Sequence, residues 1–222
     1  MGAVLSEISG AFAGDGSLYR NGKSFTFEIR GAPDELQYYQ DILKPKLEKL
    51  FGFSLKIIKR RYVGGYVIGL RTSKRRAYEV FHEKLGFPVG EKSKIVEVPR
   101  IILDDKRAWI HYLRGLFDTD GSIYIRHTGW FRLKSGERKR YSHPVVEFST
   151  SSEKHKEQIH FMLKNLGFNS WMEKTKVRLG GKSTVEQFFR LIKPNNNKHK
   201  NRYKLCRDRL VGYGAESSFK SN

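Results

Sequence analysis

Ile8-Ser9-Gly10-Ala11-Phe12-Ala13-Gly14-Asp15-Gly16-Ser17-Leu18-Tyr19 recurs 105 residues later as Leu113-Arg114-Gly115-Leu116-Phe117-Asp118-Thr119-Asp120-Gly121-Ser122-Ile123-Tyr124. A repeat of this kind decides the architecture, because one structural unit is written twice. Each copy is followed by apolar residues at every second position, the mark of a half-buried strand. These stretches are Ser24-Phe25-Thr26-Phe27-Glu28-Ile29-Arg30 and Val145-Val146-Glu147-Phe148-Ser149. Helical segments come next, Pro33 to Gly52 and Ser152 to Gly167, opened by Pro-Asp-Glu and Ser-Ser-Glu and stopped by glycine. A second strand pair follows in each half. The first is Ser54 to Lys59 with Tyr66 to Arg71 around a Gly64-Gly65 turn, and the second is Trp171 to Thr175 with Lys176 to Leu179. Tyr78-Glu79-Val80-Phe81 and Glu186-Gln187-Phe188-Phe189 then lie in closing helices. The fold class expected is α+β, with two pseudo-symmetric αββαββα subdomains at residues 1–89 and 106–216. A linker spans 90–105, and 217–222 is expected to be a disordered tail.

The 222 residues are 38% hydrophobic and 13% aromatic, too apolar and too aromatic for a disordered chain. Forty-three Lys plus Arg against 23 Asp plus Glu leave a net charge of +20, which favours polyanionic partners and nucleic acid first. No apolar run approaches the roughly 20 residues of a membrane helix, and no secretory signal opens the chain. The expectation is an intracellular protein without membrane contact, cytoplasmic and nucleoid-associated if prokaryotic. A single cysteine, Cys206, excludes an internal disulfide and a cysteine-based zinc site. The histidines show no zinc-finger spacing, and no phosphate-binding GxxxxGK[ST] loop is present.

The repeated stretch has its own chemistry. Small residues (Ser9, Gly10, Ala11, Ala13 and Gly14 in the first copy, Gly115 in the second) let two helices approach closely, and Gly10 aligns with Gly115 across an approximate two-fold axis. Gly16 and Gly121 are expected to cap these helices with a positive φ. If the helices cross side by side, Asp15 and Asp120 finish together. Two carboxylates at helix carboxyl ends repel, so a cation is needed. Oxygen-only ligands point to Mg2+, completed by water and phosphate, with Mn2+ substituting and Ca2+ supporting binding without turnover.

These residues resemble the LAGLIDADG homing endonucleases, especially single-chain, two-motif members from archaeal introns, over nearly the whole chain. Leu113 to Gly121 is a near-complete match to the motif; Ile8 to Gly16 departs from it, with Ala13 where the family often has Asp. The resemblance implies a saddle whose sheets lie in successive major grooves of double-stranded DNA, with the motif helices at the interface. It further implies site-specific hydrolysis of both strands across the minor groove, by a monomer that needs no protein partner. Asp15 and Asp120 would be catalytic metal ligands, joined by the backbone carbonyls of Gly14 and Thr119. Lys74 and Lys182, opening the closing-helix segments, align with a basic catalytic position. A polar position at the end of the second strand falls near Arg30 and Thr150.

On the strands, apolar residues face the helices and alternate residues face DNA. The first-half set is Ser17, Tyr19, Ser24, Thr26, Glu28 and Arg30, with Arg71 on a neighbouring strand; the second is Ser122, Tyr124, Arg126, Val145, Glu147 and Ser149, with Lys174, Lys176 and Arg178. Mixed Arg, Glu and hydroxyl groups suit base-edge readout. Two basic hairpins reach further, carrying Lys56, Lys59, Arg60 and Arg61 in one and Arg132, Lys134, Arg138, Lys139 and Arg140 in the other. Residues 1–105 carry 18 basic and 13 acidic groups and residues 106–222 carry 25 and 10, net +5 against +15, so the second half should hold DNA more strongly. Two alternatives keep the fold and change the job: an RNA maturase assisting intron splicing, and a catalytically silent WhiA-like DNA-binding regulator. Retention of both acids argues against the regulator.

Overall fold

The computed structural model describes residues 2–132 and 134–215, so the expected tail at 217–222 lies outside the described residues. Helix α1 (Ala3–Asp15) runs directly into β1 (Gly16–Asn21), which turns back into β2 (Ser24–Gly31). A helical segment follows, containing α2 (Leu36–Tyr38) and α3 (Lys44–Phe51) around a π turn at Tyr39–Leu43. Pro45 explains the π turn: it has no N–H to give the carbonyl four residues back, and the preceding Lys44 N–H bonds Tyr39 O five residues back. Gly52 stops the helix at φ 77°. Then come β3 (Lys56–Tyr62), β4 (Gly65–Thr72) and α4 (Arg75–Tyr78), which continues as a π turn to Lys84.

The second half repeats the order. A short α5 (Arg100–Leu103) precedes α6 (Lys106–Asp120), β5 (Gly121–Arg132), β6 (Arg138–Ser149), α7 (Glu153–Asn165), β7 (Ser170–Glu173), β8 (Lys176–Gly180) and α8 (Lys182–Ile192). The basic α9 (Asn197–Ala215) closes the described chain. Each half builds a four-stranded antiparallel sheet, ordered β1-β2-β4-β3 and β5-β6-β8-β7. The expected αββαββα unit is present twice, with α9 added. Among the described residues no helix is long and apolar enough to cross a membrane.

The two cores are aromatic and meet at the paired helices. Phe12, Phe27, Phe51, Phe81 and Phe87 fill one half; Phe117, Phe148, Phe168 and Phe188 fill the other. Between them α1 and α6 touch backbone to backbone. A Cβ on Gly10 would stand 2.0 Å from Tyr112 O, and one on Gly115 only 1.8 Å from Glu7 O, so glycine is required at both.

Two expectations are corrected. Gly16 and Gly121 take φ −82° and −80°, extended backbone rather than the left-handed cap. Glycine is needed there for space, since a Cβ would stand 2.2 Å from the Phe12 or Phe117 ring. Val145, placed on the outer face by alternation, is fully buried opposite Gly180. The 90–105 segment packs on both halves: Gly90 N–H bonds Leu18 O at 2.8 Å, Val96 and Val98 are buried, and Val98 N–H bonds Gln158 Oε1 on α7 at 2.8 Å.

Candidate active site

Because α1 and α6 cross through glycine, their carboxyl ends bring Asp15 and Asp120 together. Asp120 lies against the backbone of Gly14, where a Cβ would be 3.1 Å from its Oδ2 and 2.4 Å from Thr119 Oγ1. Tyr39, presented by the π turn, donates its hydroxyl to Asp15 Oδ2 at 3.3 Å. Burial, the Asp120 charge and Glu35 push the Asp15 carboxyl up to about 8, opposed by the Tyr39 hydroxyl and Lys92. Asp120 is also raised by burial, with Lys92 opposing. Each acid therefore holds its proton more tightly than a solvated carboxyl, and a positive charge beside it would favour the ionised form.

A cation already stands there. Lys92, delivered by the inter-half segment, donates from Nζ to Ala13 O at 2.5 Å and to Gly14 O at 2.7 Å. Its burial lowers its own pKa, while Asp120 and Asp15 hold it up. A cleft beside it is lined by Gly14, Lys92, Ser93, Asp120, Ser149 and Thr150. Among the described residues no group of three or more His, Cys, Asp or Glu side chains is arranged to hold a metal. Two carboxylates and neighbouring carbonyls are the donors available, a set that suits a hard divalent ion completed by water and phosphate. The ammonium of Lys92 against Gly14 O marks this as a place that accepts positive charge.

Lys74 and Lys182, assigned to the same chemistry from the sequence, are elsewhere. Gly16, next to Asp15, pairs with Ile29, and Ile29 pairs with Leu70, so Leu70 of β4 stands level with the start of β1. The strand then runs away to Thr72 opposite Phe27, and Lys74 beyond it lies over the Phe53 ring at 4.2 Å. In the second half Gly121 pairs with Phe148 but Gly180 pairs with Val145, so β8 likewise leaves the acids before Lys182. Lys182 instead lines a small cavity with Pro144, Tyr203 and Cys206. Antiparallel register is the reason; alignment of the two lysines with each other placed them symmetrically but at the wrong end.

Sequence reasoning also passed over the residues that lock the second motif. Asp118, aligned with Ala13, is fully buried and accepts the Asn195 N–H at 2.9 Å and the Asn196 N–H at 3.0 Å. Burial raises its carboxyl to about 7 despite those bonds from Asn196 and Asn195. Asn196 Nδ2 donates to Asp118 O at 2.8 Å and to Glu35 Oε1 at 3.1 Å, tying the two halves together. Glu7, buried on α1, accepts from Lys46 and from Asn195 Nδ2. The Pro194-Asn195-Asn196-Asn197 run was the only signal, and it reads equally as a plain loop.

The strand residues assigned to DNA form matching rows. Ser17, Glu28, Arg71 and Lys56 lie directly across the first sheet; Ser122, Glu147 and Arg178 lie across the second, where the unassigned Trp171 completes the row. Tyr19, Ser24, Lys56, Lys59, Arg60, Arg61 and Arg71 are exposed, as are Arg132, Lys134, Arg138, Arg140, Ser149 and Lys174. Thr26, Arg30, Ser122, Tyr124, Arg126, Thr150, Lys176 and Arg178 are partly covered. The side chain of Lys139 lies outside the described residues. Neither glutamate is freely presented. Glu28 is 3% exposed, its Oε2 lies 3.8 Å from Arg30 Nε and its Oε1 has no hydrogen-bond partner. Glu147 accepts from Tyr124 at 2.9 Å, Arg178 at 2.6 Å and Lys176; its burial raises the carboxyl, and these bonds more than reverse that.

Family models match both halves: a LAGLIDADG-like domain over residues 110–205 and a WhiA LAGLIDADG-like domain over residues 5–75. Among curated proteins, the tRNA-splicing ligase RtcB of Pyrococcus abyssi is 34% identical over 131 residues, 54% of this chain. The probable translation initiation factor IF-2 of Thermococcus kodakarensis is 22% identical over 189 residues, 83% of this chain. In each case the match spans only 14% of the relative's length. Among solved structures, the homing endonuclease I-DmoI in complex with DNA and Mn has a TM-score of 0.54 at 15% identity, covering 86% of this chain and 96% of that one. The meganuclease I-SmaMI bound to uncleavable DNA gives 0.59 at 11%, covering 97% and 94%. The LAGLIDADG homing endonuclease I-LtrWI bound to target DNA gives 0.59 at 12%, covering 97% and 91%. At such identities the likeness is one of fold: two four-stranded antiparallel sheets with flanking helices, as in the LAGLIDADG homing endonucleases.

Proposed function

We propose that this chain, with a LAGLIDADG-like domain in each half, is a monomeric site-specific endonuclease that binds a long duplex and hydrolyses both strands. The observation that carries the reading is the meeting of Asp15 and Asp120 at the carboxyl ends of α1 and α6, beside Lys92 and the Gly14 carbonyl. Two partly buried acids close enough to raise one another are costly unless something cationic joins them, and nothing in the packing of the helices needs them. A divalent ion, most simply Mg2+, would be held by Asp15, Asp120 and the carbonyls of Gly14 and Thr119. When bound it supplies positive charge to the phosphate and leaving oxygens. Lys92 faces the same position and offers a further positive charge to the developing phosphorane. Tyr39 fixes the Asp15 carboxylate, and Asn195 and Asn196 fix α6 through Asp118.

The sheets supply the binding surface. Exposed Arg71, Lys56, Arg60 and Arg61 in one half, and Arg132, Arg138 and Arg140 in the other, give phosphate and base-edge contacts to a duplex. The Glu147–Arg178–Lys176 cluster holds its members in fixed directions, which favours specific readout over a mobile charge carpet. The WhiA-like match over residues 5–75 favours a silent regulator as the second reading, but a regulator has no use for both acids.

A cleavage selection tests the proposal: purified chain with Mg2+ acting on a random duplex pool. Recovery of one discrete site cut on both strands is expected, with Mn2+ substituting and Ca2+ supporting binding alone. Sites that are bound but never cut in Mg2+ or Mn2+ would favour the regulator; retention of structured intron RNA in place of duplex would favour the maturase.

A further inference from the structure

On the helical side of the molecule, α7 buries Ile159, Met162 and Leu163 in the core and turns Glu157 and Phe161 outward. Those two, together with the 95–105 stretch and the end of the first half's closing helix, wall a groove of about 1140 Å³. It lies on the side of α7 away from the strands, so a duplex on the outer sheet faces leaves it free.

Ile95, Ile101 and Phe161 reach this groove from three separate elements, at 61%, 56% and 50% exposure. Three of the eleven large hydrophobic side chains exposed among the described residues therefore converge on one place, where such residues are ordinarily scattered singly. The charge of the groove is opposite in sign to that of the chain. Five acidic residues against three basic ones line it, net −2, whereas the whole chain is +20. Glu83 and Glu157 are exposed, and among the described residues neither side chain has an ion-pair or hydrogen-bond partner.

We infer that this groove docks a basic amphipathic helix of a partner protein. Apolar residues at i, i+4 and i+7 of that helix lie on Ile95, Ile101 and Phe161, and its Lys or Arg side chains meet Glu83, Glu97 and Glu157. Charge selects this occupant. The acidic rim repels phosphate and anionic lipid, and the rest of a +20 chain repels a basic helix, so attraction is left at the groove alone. Docking needs neither metal nor cleavage and does not depend on the endonuclease reading.

The test is a selection from a display library of helical peptides of about 18 residues, randomised on their surface. The target is the full chain with its basic faces blocked by excess nonspecific duplex. Enriched peptides should be basic and carry large apolar residues at i, i+4 and i+7. By fluorescence anisotropy the best of them should bind one per chain, and bind Phe161→Ser or Ile101→Ser about tenfold more weakly or worse. Glu157→Lys should weaken it similarly, and exchange of the facing peptide lysine for glutamate should restore binding, a rescue that misfolding cannot mimic. All three side chains are exposed, so the melting temperature should hold. No enrichment, enrichment of acidic peptides, or an affinity that the groove variants leave unchanged would overturn the inference. So would a dimer in sedimentation that Ile101→Lys dissolves, because a second copy would then be the occupant.

Discussion

Gly115→Ala puts the helix pair under a direct test. In an ordinary helix interior this change stabilises by about 1 kcal/mol, because alanine loses less backbone freedom than glycine. Here the new Cβ would stand 1.8 Å from Glu7 O, 2.8 Å from Glu7 C and 2.8 Å from Ala11 N, all backbone atoms of the facing helix. A carbon approaches a carbonyl oxygen to about 3.3 Å at best, so α1 and α6 must separate by roughly 1.5 Å. A gap of 0.5–1 Å already forfeits about a quarter to a half of the dispersion energy of each contact. Ile8, Ala11, Phe12, Tyr112, Leu113 and Leu116 are all buried along this seam. Overpacking of this kind costs about 1–3 kcal/mol, and rigid backbone on the receiving side puts this case at the upper end. The net expectation, after the helix-propensity gain, is a loss of about 2 kcal/mol, or a melting temperature lower by about 4–8 °C for a chain of this size. Calorimetry reads it directly. Cleavage should fall further than stability explains, since the same displacement moves Asp120 away from Asp15. A melting temperature equal to or above wild type would refute the close-packed interface.

Three other outcomes are expected. Duplex affinity should fall about 10³–10⁵-fold between 50 and 200 mM salt if 6–10 phosphates are neutralised, measured by fluorescence anisotropy; a flat salt dependence would remove the electrostatic reading of the +20 charge. His155 is buried between Tyr112 and Thr150, at 2.8 and 3.1 Å, and its burial, with help from Lys92, lowers its pKa to about 3. The unfolded chain takes up that proton near pH 6.5 while the folded chain refuses it. Stability is therefore full above 6.5 and falls by about 2–3 kcal/mol by pH 4.5, and urea unfolding of His155→Gln should lack that component. Glu147→Gln should loosen Arg178 and Lys176 and relax base preference at the positions that they face, read as a broader cleavage-site profile, while cleavage of the best site changes less than tenfold.

The repeat made most of the fold legible. Two copies of a glycine-bearing helix followed by alternating strands leave few ways to bury both halves, and the strand order and helix positions follow. The juxtaposition of Asp15 and Asp120 was legible for the same reason. Lys92 was not, because nothing local distinguishes it from Lys94; its role comes from a segment that Gly90 and Val98 anchor on opposite halves. Lys74 and Lys182 misled because pattern alignment sees order along the chain, whereas register decides which end of a strand reaches the acids. Glu28 and Glu147 sit on the face that alternation predicts, yet cross-strand arginines and lysines crowd that face and cover them. Alternation gives direction and says nothing about depth.

The central claim is that Asp15 and Asp120 together run metal-dependent hydrolysis. The most direct measurement compares wild type, Asp15→Asn and Asp120→Asn on the selected target, with binding followed in Ca2+ and double-strand cleavage in Mg2+. Asn keeps the size of the side chain and removes the charge. Each variant should bind within a few-fold of wild type and lose double-strand cleavage by about 10³-fold or more. Magnesium-dependent cleavage within a few-fold of wild type in either variant would contradict it.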